Sequence, residues 1–220
     1  MKINSYAKIN LGLHVLDKRE DRFHNIITIF QEINFHDQLT IEQSETTAFG
    51  TNVNWIDSNN NTCISAIKVL KERYPNLPNF KIFLQKNIPT NAGLGGGSSN
   101  GTATLKAINE LCSLNIQQEE MKELAEKISA DSTFFVNGGM QGGEEKGQKL
   151  SPIKNIKIDN YILLVMPKIK VQTSDAFMFI KKYLVKGQTH IKLSEMLEEL
   201  KAKNLSSELF YNDFEMHVFK

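Results

Sequence analysis

The sequence predicts a mixed α/β (α+β) protein in two parts, and three observations carry that prediction. Strand-like apolar alternations interleave with apolar positions at helical spacing through the first 150 residues. A glycine-rich loop, Ile88 to Asn100, runs straight into the helical pattern Leu105, Ile108, Leu111, Cys112. After the turn-forming pair Ser151-Pro152 a new pattern begins, so residues 1–150 read as one mixed domain and 151–220 as a second.

The elements follow in order. Lys8 to Leu16 and Ile27 to Ile41, with the alternations Ile27/Ile29, Ile33/Phe35 and Leu39/Ile41, predict half-buried strands. Cys63, Ile67 and Leu70 mark a helix, and Phe80, Ile82 and Leu84 a strand before the glycine loop. Asn115 with Gln118 resembles a capping box for a helix whose inner face is Met121, Leu124, Ala125 and Ile128, with Asp131 just beyond it. Asn137 to Gly143 reads as a loop. In the second part, Tyr161 to Met166 predicts a buried strand stopped by Pro167; Phe177, Ile180, Leu184 and Leu193, Met196, Leu197, Leu200 predict two helices. One strand is too little sheet for two helices, so the second helix face is expected to be poorly covered and this part incomplete.

Composition bounds the function. Lys and Arg number 26 against 25 Asp and Glu, a net charge of +1 that supplies no basic field for nucleic acid. No apolar run approaches the roughly 20 residues of a membrane span, and the start lacks the pattern of a signal or transit peptide, so a cytoplasmic protein without membrane partners is expected. Cys63 and Cys112 fall on apolar helical positions without metal-ligand spacing and read as buried small hydrophobes.

The glycine loop is the chemical centre of the sequence. Glycines admit positive φ and close backbone approach, and a helix start adds unpaired N–H groups and the positive end of its dipole. With the hydroxyls of Ser98 and Ser99, that arrangement suits a phosphate chain, although such a loop by itself is equally a flexible surface turn. A side chain at Gly96 is expected to fill the space a phosphate needs. Three common phosphate binders are excluded: Gly97 is followed by Ser98-Ser99-Asn100 rather than Lys-Ser/Thr, no HRD or DFG segment exists, and Ser98 stands at the third glycine of the dinucleotide fingerprint.

Three segments together resemble the GHMP small-molecule kinases, most closely their branch in non-mevalonate isoprenoid biosynthesis. They are Tyr6-Ala7-Lys8-Ile9-Asn10-Leu11 with Arg19 to Ile26, then Pro89 to Asn100, then Ala130-Asp131-Ser132-Thr133-Phe134-Phe135. Thr173 and Asn212-Asp213-Phe214-Glu215 fit the family's downstream pattern, so the likeness spans essentially the whole chain. The resemblance implies a GHMP kinase fold: a ribosomal protein S5 domain 2-like N-terminal domain and an incomplete ferredoxin-like C-terminal domain, with the active site between them. It further implies ATP and Mg2+, and transfer of the γ-phosphate to the 2-hydroxyl of a methylerythritol unit on a substrate with a cytidine diphosphate group. A monomer or homodimer is expected.

The resemblance also assigns roles. Asp131 would orient the acceptor hydroxyl and take its proton, with Lys8 offsetting charge on the transferring phosphoryl group. Pro89, Ala92, Gly93, Leu94, Gly95, Gly96, Gly97, Ser98, Ser99 and Asn100 would form the ATP loop, with Ser99 a possible Mg2+ contact. Phe23 and His24 would hold the cytosine, Phe23 by stacking in place of the family's usual tyrosine, and Asn10 and Thr173 would touch substrate. By themselves, these residues have ordinary readings as loop, strand or capping residues.

Some positions depart from the family. Arg22 replaces a glycine, Glu144 to Gln148 lacks the Gly-x-Gly-Glu pattern, and Ser132-Thr133 stands where Val-Pro is usual. The third, glycine- and serine-rich motif has no counterpart before Lys220, which raises the expectation of a C-terminally truncated chain. Two rival readings follow: another GHMP kinase, acting on mevalonate, homoserine or a sugar, and a nucleotide-binding protein with little activity.

Overall fold

The computed structural model describes residues 1–21, 23–166, 191–205 and 208–215. Arg22, Pro167, Thr173 and the expected helix through Phe177, Ile180 and Leu184 lie outside the described residues. Two compact units form, each from separated stretches of chain: Met1–Lys8, Glu32–Thr90 and Leu94–Gly138 make the first, and Ile9–Gln31, Asn91–Gly93 and Gly139–Lys220 the second. Two long strands, β1 (Lys2–Lys18) and β2 (His24–Ser44), contribute to both.

In the first unit, the second half of β2 pairs antiparallel with β4 (Asn79–Gln85), which pairs in parallel with β3 (Ala48–Thr51). The period-2 pattern in β4 buries Phe80, Ile82 and Leu84 and exposes Lys81, Phe83 and Gln85. Those apolar side chains, with Leu39 and Ile41, meet the apolar faces of α1 (Thr62–Arg73), α2 (Gly96–Leu111) and α3 (Gln118–Glu126). Each fully buried side chain of this size stabilises by about 1.5–3 kcal/mol relative to exposure. α1 starts at Asn61, whose side-chain oxygen accepts from the Ile64 N–H at 3.0 Å. A one-turn 3-10 helix, Ala130–Thr133, leads into the short α4 (Phe134–Asn137).

Where β4 ends, the Lys86 ammonium lies 2.6 Å from Asp37 Oδ2 with both side chains buried. Asp37 Oδ1 accepts from the N–H groups of Asn87 and Ile88 at 2.6 and 2.7 Å, and Lys86 also donates to the Ile88 carbonyl. Burial pushes the Lys86 pKa down while Asp37 opposes it. This pair fixes the backbone that enters the glycine loop.

In the second unit, the first half of β2 pairs antiparallel with β5 (Met140–Glu144), which pairs with β6 (Lys149–Pro152). α5 (Leu193–Lys201) packs Met196 and Leu200 against Ile27, Ile29 and Met140. The segment through Tyr211 and Asp213 docks on β1. Leu13 N–H donates to the Tyr211 carbonyl at 3.0 Å, Asp213 N–H to the Leu13 carbonyl at 2.9 Å, and Val15 N–H to Asp213 Oδ2 at 2.6 Å.

Five expectations are corrected. Asn137–Gly143 is not all loop, because Met140–Glu144 is a strand; its glycines are small for packing, since a β-carbon on Gly142 would meet Leu193 at 2.5 Å and one on Gly143 would meet Phe30 at 2.6 Å. Ser151 and Pro152, read as a turn-forming pair, lie within β6 and pair with Gly142 and Gln141 of β5. Asn115 does not cap α3: its φ of +55° places it in a left-handed turn, and the N-cap residue is Gln117. Tyr161 to Met166 is irregular, with Tyr161, Leu163 and Val165 well exposed, because no described strand pairs with it. Finally, the apolar face of α5 is covered, since Met196 and Leu200 pack on Ile27, Ile29 and Met140 of strands from earlier in the chain.

Candidate active site

The glycine loop is pinned at both ends in the first unit. Lys8 N–H donates to the Leu94 carbonyl at 3.0 Å, tying the buried Leu94 to β1. Gly95 begins α2 with φ +66°, and a β-carbon there would fall 2.8 Å from Phe135 Cζ and 3.1 Å from Lys8 Cγ. Only glycine meets both demands. No side chain caps the helix, so its first-turn N–H groups stay available to an anion.

The other loop residues divide by direction. Pro89, Ala92, Gly93 and Gly97 are exposed, and a β-carbon on Gly93 would meet nothing within 4 Å. Gly96 is different. A β-carbon there would point inward, 2.9 Å from Ile88 Cγ2 and 3.1 Å from the Lys86 ammonium, so a side chain at Gly96 first crowds the interior.

Ser98 and Ser99 likewise part company. Ser99 is buried, its hydroxyl 2.8 Å from that of Ser5, and Ser5 also lies 2.7 Å from Asn100 Oδ1. Ser98 is half-exposed and accepts from the Ser129 hydroxyl at 2.8 Å. The Ser129 hydroxyl is in turn 2.6 Å from Ser132 Oγ, while Thr102 Oγ1 donates to the Ser132 carbonyl at 2.8 Å. These bonds staple the 3-10 turn that carries Asp131 to the first two turns of α2.

Lys8 and Asp131 come together, with Lys8 Nζ 3.7 Å from Asp131 Oδ2. The partners are unequal: the Lys8 side chain is 8 % exposed and that of Asp131 42 %. A buried cation beside an accessible carboxylate is an arrangement that can hold a hydroxyl and stabilise developing negative charge next to it.

The second unit holds Asn10, Phe23 and His24. Phe23 is 58 % exposed, with the Lys146 ammonium 5.1 Å from its ring centroid. Its N–H donates to Asp21 Oδ1 at 3.1 Å and its carbonyl accepts from Arg19 N–H at 2.8 Å, so the turn is closed around it. Desolvation opposes ionisation of Asp21, but the Phe23 N–H and Arg19 outweigh it and hold the carboxyl below its usual range. Asn10 Nδ2 donates to Thr28 Oγ1 at 2.8 Å, and His24 is half-buried at the start of β2.

Sequence reasoning missed Ser5, Thr102, Ser129 and Ser132 in the first unit. Only Ser129 and Ser132 carried a readable signal, two hydroxyls flanking Asp131. Among the described residues no cluster of three or more His, Cys, Asp or Glu is arranged for a metal ion.

Residues 61–140 match the domain family described as GHMP kinases N terminal domain. The chain is similar to the 4-diphosphocytidyl-2-C-methyl-D-erythritol kinase of Parabacteroides distasonis, at 37 % identity over 97 % of this chain and 77 % of that one. It resembles the protein of the same name from Caldicellulosiruptor bescii at 35 % identity, covering 95 % of this chain and 74 % of that one. With the Persephonella marina relative it shares 37 % identity over 80 % of this chain, spanning 64 % of that relative's length. Among solved structures, one described as 4-(cytidine 5'-diphospho)-2C-methyl-D-erythritol kinase matches the fold with a TM-score of 0.76 at 24 % identity, over 100 % of this chain and 77 % of that one. Mevalonate pyrophosphate decarboxylase from Streptococcus pyogenes matches with a TM-score of 0.64 at 19 % identity, over 93 % and 68 % of the two chains.

Proposed function

The chain belongs to the 4-diphosphocytidyl-2-C-methyl-D-erythritol kinase family of GHMP kinases, and from that premise we propose that it moves the γ-phosphoryl group of ATP to the 2-hydroxyl of that cytidyl substrate. The observation that carries the reading is the Lys8–Asp131 pair, 3.7 Å apart in the same unit as an uncapped, glycine-led helix start.

The chemistry follows from the residues. The first-turn N–H groups of α2 and the Ser98 hydroxyl bind phosphate oxygens, while the exposed Gly97 leaves the approach open. Asp131 accepts a hydrogen bond from the acceptor hydroxyl, aims its oxygen at the γ-phosphorus and takes its proton as the bond to phosphorus forms and the bond to ADP breaks. Lys8 offsets the charge on the transferring group, and its burial strengthens that interaction. Ser99 and Asn100, turned toward Ser5, hold the helix start in place. Mg2+ would be held here by accessible oxygen donors such as Asp131 and Ser98 together with phosphate and water, and would offset negative charge on the phosphates. On the substrate side, Phe23 stacks on the cytosine, with His24 next to it at the start of β2 and Asn10 on β1 of the same unit.

The test is ADP release with the cytidyl substrate, mevalonate and homoserine as alternative acceptors. The cytidyl substrate should be used at least 100-fold better, and Asp131→Ala and Lys8→Ala should each lower kcat by about 10²–10⁴ with ATP affinity nearly unchanged. Near-normal turnover of Asp131→Ala would sink the mechanism.

A further inference from the structure

We propose that a groove in the first unit, between the start of β1 and one face of α2, is a binding site for a small organic carboxylate, with the Lys106 ammonium as its anchor. The inference stands apart from the nucleotide reading, because Gly95 to Ser98 do not line the groove.

Short side chains on α2 make the space. Ser99, Ala103 and Lys106 fall on one stripe of the helix at i, i+4 and i+7, and the buried Ser99 and Ala103 form the floor. The groove holds about 460 Å3, within the usual range for small-molecule sites. Lys2 and Asn4 of β1, Glu32 of β2 and Asn137 of α4 give it polar walls, and Phe135 an apolar one.

Lys106 carries the argument. An ammonium has three N–H donors. One of them goes to the Phe135 carbonyl at 2.8 Å. Among the described residues Lys106 makes no other hydrogen bond and has no carboxylate oxygen within 4.0 Å, so Glu32 acts on it only through space. The other desolvated lysine of this unit is different, since Lys86 has Asp37 at 2.6 Å. Burial pushes the Lys106 pKa down and Glu32 opposes that. A cation that has already lost much of its water, and has no ion-pair partner, gains more from an anion than a solvated surface lysine does.

Charge and shape set the ligand class. Lys2 and Lys106 against Glu32 leave the groove one positive charge in excess, which a monoanion balances. The dianion of a phosphate monoester meets more repulsion from Glu32 for the same two lysines. A carboxylate on Lys106 also leaves an apolar body free to lie against Phe135 and Ala103.

The test is an NMR titration of the isotope-labelled full chain with benzoate, phenyl phosphate and benzamide, read at the backbone amides. Benzoate should shift Asn4, Lys106 and Asn137 saturably, with a Kd at least about 10-fold below those of the other two. Lys106→Met should raise that Kd about 10-fold or more, the worth of a charge-assisted hydrogen bond, and Lys2→Glu, at an exposed position, about 3-fold or more. Glu32→Gln should lower it. If Lys106→Met does not fold, the opposite signs of Lys2→Glu and Glu32→Gln decide the matter. Saturation confined to the amides of Gly95 to Ser98, benzamide binding as well as benzoate, phenyl phosphate binding more tightly, or no saturable shift with benzoate would each overturn the assignment, as would an unchanged benzoate Kd in folded Lys106→Met.

Discussion

Single side chains at the site do work that their residue type alone does not reveal. Gly96 is the clearest case: a β-carbon added there would fall 3.1 Å from the Lys86 ammonium, so it cannot become valine without displacing Ile88 or the buried pair behind it. Gly96→Val should therefore lower stability by about 1–3 kcal/mol, the usual cost of overpacking, before it affects nucleotide affinity. Denaturant unfolding beside ATP titration separates the two, and a fully stable variant that has lost ATP would support the phosphate-space reading. Phe23 makes the opposite point, since its exposed ring has little to do for the fold. Phe23→Ala should weaken the cytidyl substrate by about 1–3 kcal/mol and Phe23→Tyr should not, with ATP binding unchanged in both. Equal affinity of Phe23→Ala for the cytidyl substrate would remove it from the site. Cys63 fits its apolar reading, because burial lifts its thiol to about 12, whereas Cys112 at the end of α2 is only half-buried.

Elements were legible in proportion to their local periodicity. α1, β4, α2, α3 and α5 carry their apolar positions at regular spacing, and the structure has all five. β3 is four residues long, and β5 carries glycines that looked like a loop until the side chains of Leu193 and Phe30 were seen above them. Tyr161 to Met166 shows the limit from the other side, because an apolar run becomes a strand only when a partner strand accepts its backbone. The docked segment through Tyr211 and Asp213 offers a test at this scale. Burial first, and then the Asp213 carboxylate, raise the Tyr211 phenol to about 12. A raised folded pKa means the segment's docking holds the protonated phenol: that contribution is complete below the ordinary value near 10 and is lost as pH rises through 12. Alkaline titration of phenolate absorbance should show one tyrosine, absent in Tyr211→Phe, ionising near 12, and Asp213→Asn should move it down. No shift in Asp213→Asn would leave burial as the whole cause.

For the molecule as a whole, the fold class and the kinase family were legible because three motifs recur in order along the chain. Contacts between distant residues were not: Asp37 and Lys86 are 49 positions apart, and nothing in either neighbourhood marks the other as its partner. The division expected at residue 150 likewise drew on local pattern alone, and Met196 and Leu200 of the second part pack on Ile27, Ile29 and Met140. Residues 151–220 expressed alone should fail to unfold cooperatively, since Met196 and Leu200 would lose Ile27, Ile29 and Met140. A sharp thermal transition in that fragment would contradict this.

That β1 and β2 each pass through both units also bears on inheritance. Each unit is written in the gene as interleaved stretches, with residues 9–31 and 91–93 of the second set inside the first. A single recombination crossover therefore cannot exchange one unit between relatives and leave the other intact.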